Sequence, residues 1–222
     1  MSKQSLIPTT KATGDSEVII NNLISWANNK TASQHCTVTG GPGAGKTYLI
    51  RALLEKIDLH LSLNLGLLKE YNIFVTSTTN KSLENLPPHE FTFDRTIYSI
   101  LQLVPDKGVI KLRKGKHLVD ASYNPSLVEK SPLNSLIICD ESNYISQETL
   151  EIISKWFPYV RIIFIGSEHQ LGSESGISKI FDQGWDNFYL DTSFRADNPD
   201  VQAVYDNSEN DVINQTVNYI NN

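Results

Sequence analysis

A glycine-rich segment in the first quarter of the chain has the residue spacing of a phosphate-binding loop. The segment 37–50 reads TVTGGPGAGKTYLI, in which Gly40 is followed after four residues by Gly45, Lys46 and Thr47. Glycines let successive backbone N–H groups converge on a phosphate at a helix N-terminus, where the helix dipole favours an anion. The lysine can reach the β- and γ-phosphates, and the threonine hydroxyl can ligate Mg²⁺. The spacing therefore predicts a site for a nucleoside triphosphate with Mg²⁺.

The residues around the loop support this interpretation. Residues 35–39 alternate as a short buried strand and residues 48–57 have helical spacing of apolar side chains, which is the strand–loop–helix context that the motif needs. We therefore expect ATP to contact the loop and the first helical turn. The predicted contacts are Gly41, Pro42, Gly43, Ala44, Gly45, Lys46, Thr47 and Tyr48.

Two adjacent carboxylates follow a second apolar segment, SLIICD at 135–140. Open parallel sheets bind their ligands at the carboxyl ends of strands, so this pair is expected at the ligand edge. We predict that Asp140 holds the Mg²⁺ shell together with Thr47. Glu141 is predicted to orient and deprotonate an attacking water. Because an enzyme that must exclude water has little use for such a base, the pair favours hydrolysis over group transfer.

Two later polar residues are predicted to join the nucleotide site. Gln170, in IGSEHQLG, is expected beside Glu141, where its amide can bond both the γ-phosphate and the water. Arg195, in DTSFRAD, carries forked donors that can reach the same phosphate. A surface salt bridge is the alternative role for Arg195.

Apolar strands and helical patterns alternate along the chain. The predicted strands are 35–39, 72–77, 135–140, 160–166 and 187–190. The first predicted helix has Asp15 or Ser16 as its N-cap and carries an apolar pattern from Ile19 to Ala27. Further helices are predicted at 48–57, 80–86 and 146–157 and in the tail from Pro199. Strands of near-continuous Ile, Val, Leu and Phe separated by helices predict an α/β fold with a parallel sheet covered on both faces.

One segment interrupts the alternation. GVIKLRKGKHLV, at 108–119, alternates as two strands around Lys114 and the glycine after it, which predicts a β-hairpin. Its basic residues are Lys111, Arg113, Lys114, Lys116 and His117. On a chain of net charge −6 this cluster is a candidate for contacts with nucleic-acid phosphates, and a solvated hairpin tip is the alternative.

Length and composition favour one domain. We expect a flexible segment at 1–14 and a domain at 15–222 with the hairpin insertion at about 104–130; a hydrophobic content of 40% suffices for a core. We predict no membrane segment and no signal peptide. Cys36 and Cys139 lie in predicted core strands without metal-ligand spacing, so we expect a reducing, cytoplasmic location. The acidic balance argues against a coat protein that binds nucleic acid by charge alone.

The order of the motifs resembles the first RecA-like domain of superfamily 1 helicases. In order, over about residues 15–205, they read GGPGAGKT, VTSTTNKSLENL, RTIYSIL, LIICDESNYIS, IGSEHQL and YLDTSFR, which resemble motifs I, Ia, Ib, II, III and IV. The resemblance is greatest to the 5′-to-3′ branch, which includes phage helicases of the Dda kind, their Pif1 and RecD relatives, and helicases of positive-strand RNA viruses.

The resemblance implies a P-loop NTPase fold that uses ATP and Mg²⁺ and acts on single-stranded DNA or RNA. It implies nucleotide-site roles for Lys46, Thr47, Asp140, Glu141, Gln170 and Arg195. Strand contacts are implied for the region 76–80 and for 96–99, at Thr76, Ser77, Thr78, Asn80, Thr96 and Ser99. Hydroxyls and amides suit contacts with backbone phosphates, which position a strand without reading its sequence. The basic hairpin lies where the family inserts a small strand-separating subdomain.

The sequence departs from the family at two places. Ser167 stands where motif III usually has an aspartate, and only 222 − 195 = 27 residues follow Arg195. We therefore expect a second RecA-like domain, with its arginine finger, to come from elsewhere or from a partner chain. Two alternatives are an RNA-binding viral accessory or movement protein of the triple-gene-block type and a thymidine-kinase-like enzyme. The latter usually carries zinc-binding cysteines, which the two cysteines of this chain do not match.

Overall fold

A fully parallel, six-stranded sheet forms the centre of the computed structural model, which describes residues 11–14, 16–106, 109–114, 117–120, 134–167 and 179–190. The strands, in chain order, are β1 (Lys11–Gly14), β2 (His35–Gly40), β3 (Asn72–Ser77), β4 (Leu103–Asp106), β5 (Val109–Lys114), β6 (His117–Asp120), β7 (Ser135–Asp140), β8 (Val160–Gly166) and β9 (Asp186–Leu190). The large sheet has the order β1-β9-β2-β8-β7-β3, so the predicted α/β fold with a parallel sheet is confirmed.

Helices cover both faces of this sheet. The α-helices are α1 (Ser16–Ala27), α2 (Lys46–Ser62), α3 (Asn80–Leu83), α4 (Ile97–Ile100) and α5 (Gln147–Trp156). Short 3-10 helices lie at Leu68–Glu70, Ser142–Tyr144 and Lys179–Asp182. Every residue of β2, β7 and β8 is buried, which explains why these strands read as apolar runs in the sequence.

Alternate residues of each central strand face two separate halves of the core. In β7, Leu136 and Ile138 pack in the cluster that contains the apolar faces of α1 and α2. Ile137 and Cys139 pack in the second cluster, with Leu150 and other residues of α5. This period of two is the side-chain alternation of a strand covered on both sides. The two halves of the core hold the sheet rigid beneath its carboxyl edge.

A second, three-stranded antiparallel sheet with the order β4-β5-β6 is built from the insertion. The predicted hairpin is confirmed, with Leu112 opposite Val119 and Lys114 opposite His117. The sequence pattern missed β4, which pairs with β5 through Leu103 and Leu112. This small sheet brings β5 next to α4, as the contacts of Arg113 described below show.

Several element boundaries differ from the sequence expectation. Lys11–Gly14, expected in the flexible N-terminal segment, pair in parallel with β9 at the edge of the large sheet. Backbone pairing forms β1, since KATG has no apolar alternation. Helix α2 begins at Lys46 and continues to Ser62, because the loop is followed directly by the helix. The expected helix at 80–86 is limited to Asn80–Leu83, and residues 191–222 lie outside the described part.

Among the described residues, no helix combines the length and the apolar character needed to cross a bilayer.

Candidate functional site

The glycine-rich loop places a helix N-terminus at the carboxyl end of β2. Gly43 and Gly45 have φ angles of 81° and 85°, in the left-handed region that glycine adopts without a Cβ clash. Gly45 is the N-cap of α2 and makes no side-chain capping bond, and the first turn contains no acidic residue. The N-cap therefore supplies no side-chain acceptor to the first turn, and a helix N-terminus of this kind suits an anion.

The loop also packs closely against the last strand of the sheet. A Cβ added to Gly40 would lie 2.9 Å from Cβ of Leu190 and 3.0 Å from Cβ of Ala44. Only glycine lets the backbone approach β9 so closely at this position. The close approach fixes the height of the loop above the sheet.

Lys46 is the cation of the loop. Its Nζ donates hydrogen bonds to the carbonyl oxygens of Gly40 at 2.9 Å and Gly41 at 3.0 Å. Thr47 and Tyr48 follow on the exposed side of the first turn. The lysine is therefore held at the loop, while the threonine hydroxyl is accessible to a ligand.

Asp140 and Glu141 lie at the carboxyl end of β7, two strands from the loop. The backbone N–H of Glu141 donates to Oδ1 of Asp140 at 2.9 Å. Glu141 has φ 52° and ψ 40°, a left-handed conformation that is uncommon for a residue other than glycine. Such conformations persist where the surrounding structure determines them, often at functional sites. The chain therefore turns away from β7 at the point between Asp140 and Glu141.

Burial dominates the electrostatics of Asp140. It raises the pKa of this carboxyl from 3.8 to about 6, with the Glu141 N–H and the Lys46 charge acting in the opposite direction and the Glu141 charge adding to the rise. The influence of Lys46 shows that the loop and the carboxylates share one electrostatic environment. A cation placed between them would favour the ionised carboxylate.

The donor set fits Mg²⁺ bound together with a nucleotide. Mg²⁺ is commonly bound through one or two protein oxygens, with phosphates and water completing the shell. Thr47 and Asp140 supply a hydroxyl and a carboxylate of this kind. The described residues contain no group of three or more His, Cys, Asp or Glu side chains placed to hold a metal.

Three consecutive hydroxyls, the last two of β3 and the one after it, make hydrogen bonds within the protein. Thr76 donates to the carbonyl oxygen of Arg95, Ser77 to that of Asp140 at 3.0 Å, and Thr78 to that of Glu141 at 2.9 Å. Thr76 and Ser77 are fully buried. Both hydroxyls are therefore inaccessible to solvent in this structure, and the strand contacts expected of Thr76 and Ser77 remain predictions. Both position the backbone of neighbouring site residues.

A cavity of about 830 Å³ opens beside these hydroxyls. Five residues predicted to contact nucleic acid line it, and they are Thr78, Asn80, Thr96, Ser99 and Arg113. Phe93, Arg95 and Tyr98 also line it. The charged residues among its described lining are Arg95 and Arg113, with no carboxylate. Nε of Arg95 lies 3.9 Å from Oδ1 of Asp94, so the positive charge of the lining comes from Arg113 and from an arginine that has a carboxylate neighbour.

The remaining predicted site residues are not among the residues that line this cavity. Lys111 is partly buried on β5, and Lys114 ends that strand, opposite His117. Lys116, Gln170 and Arg195 lie outside the described residues. Sequence reasoning missed Phe93 and Arg95, although the alternation of FTF at 91–93 before an arginine indicates a short edge strand with aromatic rings on one side.

Two buried polar side chains that follow the ends of β7 and β8 have no hydrogen-bond partners in the described structure. They are the amide of Asn143 and the hydroxyl of Ser167, the residue that departs from motif III. A Cβ added to Gly166 would lie 3.2 Å from Oδ1 of Asn143, so the amide packs against the end of β8. Uncommitted polar groups therefore occur at the ends of both β7 and β8.

Similarity to known proteins agrees with this geometry. The sequence model described as an AAA domain matches residues 25–175. Pif1 of Bacteroides sp in complex with ADP-AlF4 superposes with a TM-score of 0.51 and 18% identity, over 92% of this chain and 45% of that chain. The Pif1 helicase of Candida albicans superposes with a TM-score of 0.52 and 16% identity, over 84% and 41%. This chain thus spans less than half the length of either structure, and at these identities the likeness shows the fold. No curated protein sequence matches the chain.

Proposed function

The chain belongs to the AAA domain family, and we propose that it is the ATP-binding and ATP-hydrolysing motor domain of a superfamily 1 helicase that acts on single-stranded DNA or RNA. One observation carries the proposal. Thr78 lines the arginine-bearing cavity and donates a hydrogen bond to the backbone of Glu141, so the proposed strand site and the proposed catalytic carboxylate share a residue. A motor needs such a link, because strand binding must change the rate of hydrolysis.

The nucleotide half of the proposal assigns a role to each residue at the loop. Lys46 would exchange its bonds to the loop carbonyls for bonds to the β- and γ-phosphates, while the N-terminus of α2 receives the phosphate oxygens. Thr47 and Asp140 would hold Mg²⁺, which supplies charge neutralisation at the phosphates. Glu141 would accept a proton from the attacking water. Gln170 and Arg195 keep their predicted roles at the γ-phosphate.

The strand half of the proposal concerns the cavity. Asn80, Thr96 and Ser99 offer amide and hydroxyl groups to phosphate oxygens, and Arg95 and Arg113 supply the positive charge. Lys111, two residues before Arg113 on β5, would extend this surface, and Lys114 and Lys116 keep their predicted contacts with the strand. Such contacts fix the position of a strand and carry no base sequence information.

The complete motor would contain a second RecA-like domain, in the same polypeptide or in a partner chain. The Pif1 structures support this part of the proposal, since this chain covers 45% and 41% of their lengths. The resemblance of the motifs to the 5′-to-3′ branch supports that polarity and a viral or phage type of helicase. Closure of the second domain over the nucleotide would complete the catalytic site and move the strand.

Hydrolysis and strand assays on the purified chain test the proposal. We expect ATP·Mg²⁺ binding, slow hydrolysis that a single-stranded oligonucleotide accelerates, and no strand displacement without a second domain. Lys46→Ala should weaken nucleotide binding by roughly 10- to 150-fold, because hydrogen bonds to charged groups contribute about 1.5–3 kcal/mol.

Lys30→Ala is the matched control, since Lys30 is an exposed lysine whose Nζ lies 3.7 Å from Glu70. Unchanged nucleotide affinity in Lys46→Ala would refute the loop assignment. A chain that binds ATP but neither binds nor responds to single strands would refute the motor assignment and leave a different P-loop enzyme.

A further inference from the structure

A second cavity lies at the edge of the large sheet opposite the phosphate loop. Its volume is about 380 Å³, and its lining includes Gln34, Tyr71, Asn134 and Tyr159. Each of these residues directly precedes a strand, namely β2, β3, β7 and β8. Because the strands are parallel, this amino-edge cavity lies at their amino ends, whereas the phosphate loop lies at the carboxyl end of β2. A ligand in the amino-edge cavity would therefore not compete with a nucleotide.

Arg161, the second residue of β8, is the buried cation of the amino-edge cavity. It is 8% exposed, and its guanidinium carbon lies 4.0 Å from the centroid of the Trp26 ring. Nη1 donates to the carbonyl oxygen of Asn29 at 2.9 Å, and Nη2 donates to that of Ser33 at 3.2 Å. These bonds tie the turn after α1 to β8 and fix the orientation of the guanidinium.

The positive charge of Arg161 is not balanced within the cavity. Carbonyl acceptors satisfy N–H groups but are neutral, and Arg161 forms no ion pair with a carboxylate among the residues that the structure describes. The other charged residues of the described lining are Lys30 and Glu70, which lie 3.7 Å apart and offset each other. The lining thus carries an excess of one positive charge, and arginines this deeply buried are usually paired with an anion.

The rim of the amino-edge cavity presents an aromatic ring on a fixed turn. Tyr159 is 63% exposed and follows Pro158, which is also exposed and also lines the cavity. Nε2 of Gln34 donates to the carbonyl oxygens of Phe157 at 2.8 Å and Val160 at 3.0 Å, so the turn that carries Tyr159 is held from both sides. Tyrosine and arginine are enriched at the centres of protein–protein interfaces, and a fixed rim lowers the entropic cost of binding.

We propose that the amino-edge cavity is a docking site for an acidic segment of a partner protein. One aspartate or glutamate carboxylate of the segment pairs with Arg161, and an apolar neighbour of that residue covers the Tyr159 ring. This inference goes beyond the proposed function, since it concerns a protein partner and the edge of the sheet away from the phosphate loop. The partner could remain bound while nucleotide binds and leaves.

The charges of the lining favour a peptide over a nucleic acid. A nucleic-acid strand carries a phosphate at every nucleotide, and its binding depends on several cations that neutralise them in a row. Here Glu70 lies beside Lys30 and would repel a neighbouring phosphate. A peptide can present one carboxylate between neutral residues, which matches the excess of one positive charge, and its apolar side chains match the exposed ring.

Fluorescence anisotropy of labelled peptides with the full chain tests the inference. One peptide alternates glutamate with leucine, and a matched peptide of the same length alternates glutamine with leucine. We expect the parent to bind the glutamate peptide about tenfold more tightly or better, which is the effect of one well-placed charge pair. Arg161→Gln should abolish this preference. Tyr159→Ala should weaken binding of both peptides by about fivefold or more, because the ring contributes to either complex.

Two variants outside the amino-edge cavity provide matched controls. Lys155→Gln removes a cation that also lies over a tryptophan ring, with Nζ 5.0 Å from the centroid of Trp156. Tyr144→Ala removes another exposed tyrosine, which follows the carboxyl end of β7. Both should bind the peptides as the parent does. Thermal unfolding checks the fold of every variant; if Arg161→Gln does not fold, Tyr159→Ala and the comparison of the two peptides with the parent still decide.

Three results would overturn the inference. The first is equal affinity of the parent for the two peptides, or no binding of either, and the second is a glutamate preference that survives in Arg161→Gln. The third is a single-stranded oligonucleotide that displaces the glutamate peptide and depends on Arg161 for its own binding, which would make the cavity a phosphate site. Each result leaves ATP binding at the opposite edge untouched, so the proposed function is tested separately.

Discussion

Thr78 donates a hydrogen bond from its hydroxyl to the carbonyl oxygen of Glu141 at 2.9 Å, and the same residue lines the cavity that contains Arg95 and Arg113. The adjacent hydroxyl of Ser77 makes a parallel bond to the carbonyl oxygen of Asp140 at 3.0 Å. The turn after β7 is thus tied to the end of β3 by two side chains. A nucleic-acid strand that displaced the end of β3 on binding would therefore also displace the backbone that carries both carboxylates.

Thr78→Val tests this connection, because valine keeps the shape of the side chain and removes the donor. We expect each ligand alone to bind nearly as it does to the parent. The mutual effect of ATP and strand on each other's affinity should fall, since couplings between sites are typically about 1–3 kcal/mol, or roughly 5- to 150-fold. Titration of the strand with and without a non-hydrolysable ATP analogue measures the coupling.

Thr96→Val serves as the control for this experiment. Thr96 lines the same cavity but makes no side-chain capping bond at the start of α4. Its replacement should weaken strand binding and leave the coupling intact. Equal coupling in Thr78→Val and the parent would show that the hydrogen bond to Glu141 does not transmit the signal.

Glu141→Gln should retain ATP·Mg²⁺ binding and lose hydrolysis. The amide has the shape of the carboxylate but cannot accept the proton of the attacking water, and loss of a general base typically costs about 10²- to 10⁴-fold in rate. The left-handed backbone at this residue should be unaffected, because glutamine has the same Cβ and the same steric demand. Single-turnover hydrolysis, with a second RecA-like domain added if the basal rate is too slow, provides the measurement. Equal turnover of the two proteins would remove Glu141 from the reaction.

Local sequence patterns predicted the strands that are buried on both faces of the sheet. The apolar runs of β7 and β8 and the glycine spacing before α2 are local signals, and each lies where it was expected. Tertiary relationships were not predictable in this way. Thr76 and Ser77 are the last two residues of β3, and only the tertiary structure shows that their hydroxyls donate to the backbone of Arg95 and Asp140. Phe93 becomes a cavity residue only because Val75 pairs with its segment.

The pH dependence of stability should contain a contribution from His35. This residue is 1% exposed, its ring contacts Phe164 and Trp185 edge to face, and neither ring nitrogen has a partner in the described structure. Burial, and secondarily the charge of Arg161, lower the pKa of His35 from 6.5 to about 3. The unfolded chain therefore takes up this proton first as the pH falls, so stability is lost between about pH 6.5 and pH 3.

His35→Phe should remove this part of the pH dependence. Between pH 7 and pH 5 the parent should lose about 2 kcal/mol of unfolding free energy through His35, and the variant should not. Asp140 acts with the opposite sign, because its raised pKa makes the native state take up a proton first. That contribution is common to both proteins and cancels in their difference. Urea denaturation at the two pH values gives the comparison, and parallel pH profiles would refute the assignment.

The basic residues of the small sheet should determine part of the salt dependence of strand binding. Arg113 lines the cavity, and its backbone N–H donates to the carbonyl oxygen of Gln102 at 2.8 Å, which fixes β5 beside α4. Removing one protein charge that neutralises a phosphate should reduce the slope of log affinity against log salt by about 0.7 for a single strand. We expect Arg113→Gln to lower the slope by one such step, and neutralisation of Lys111, Lys114 and Lys116 in addition to lower it further.

The strand sequence and a distant lysine provide the controls for this salt experiment. Affinity should fall equally for strands of different sequence, because the basic residues are expected to bind phosphates and not bases. Lys30→Gln, a neutralisation away from the cavity, should leave the slope unchanged. If the slope of the fourfold variant matched that of the parent, the cluster would be a solvated hairpin and the strand would follow another path across the domain.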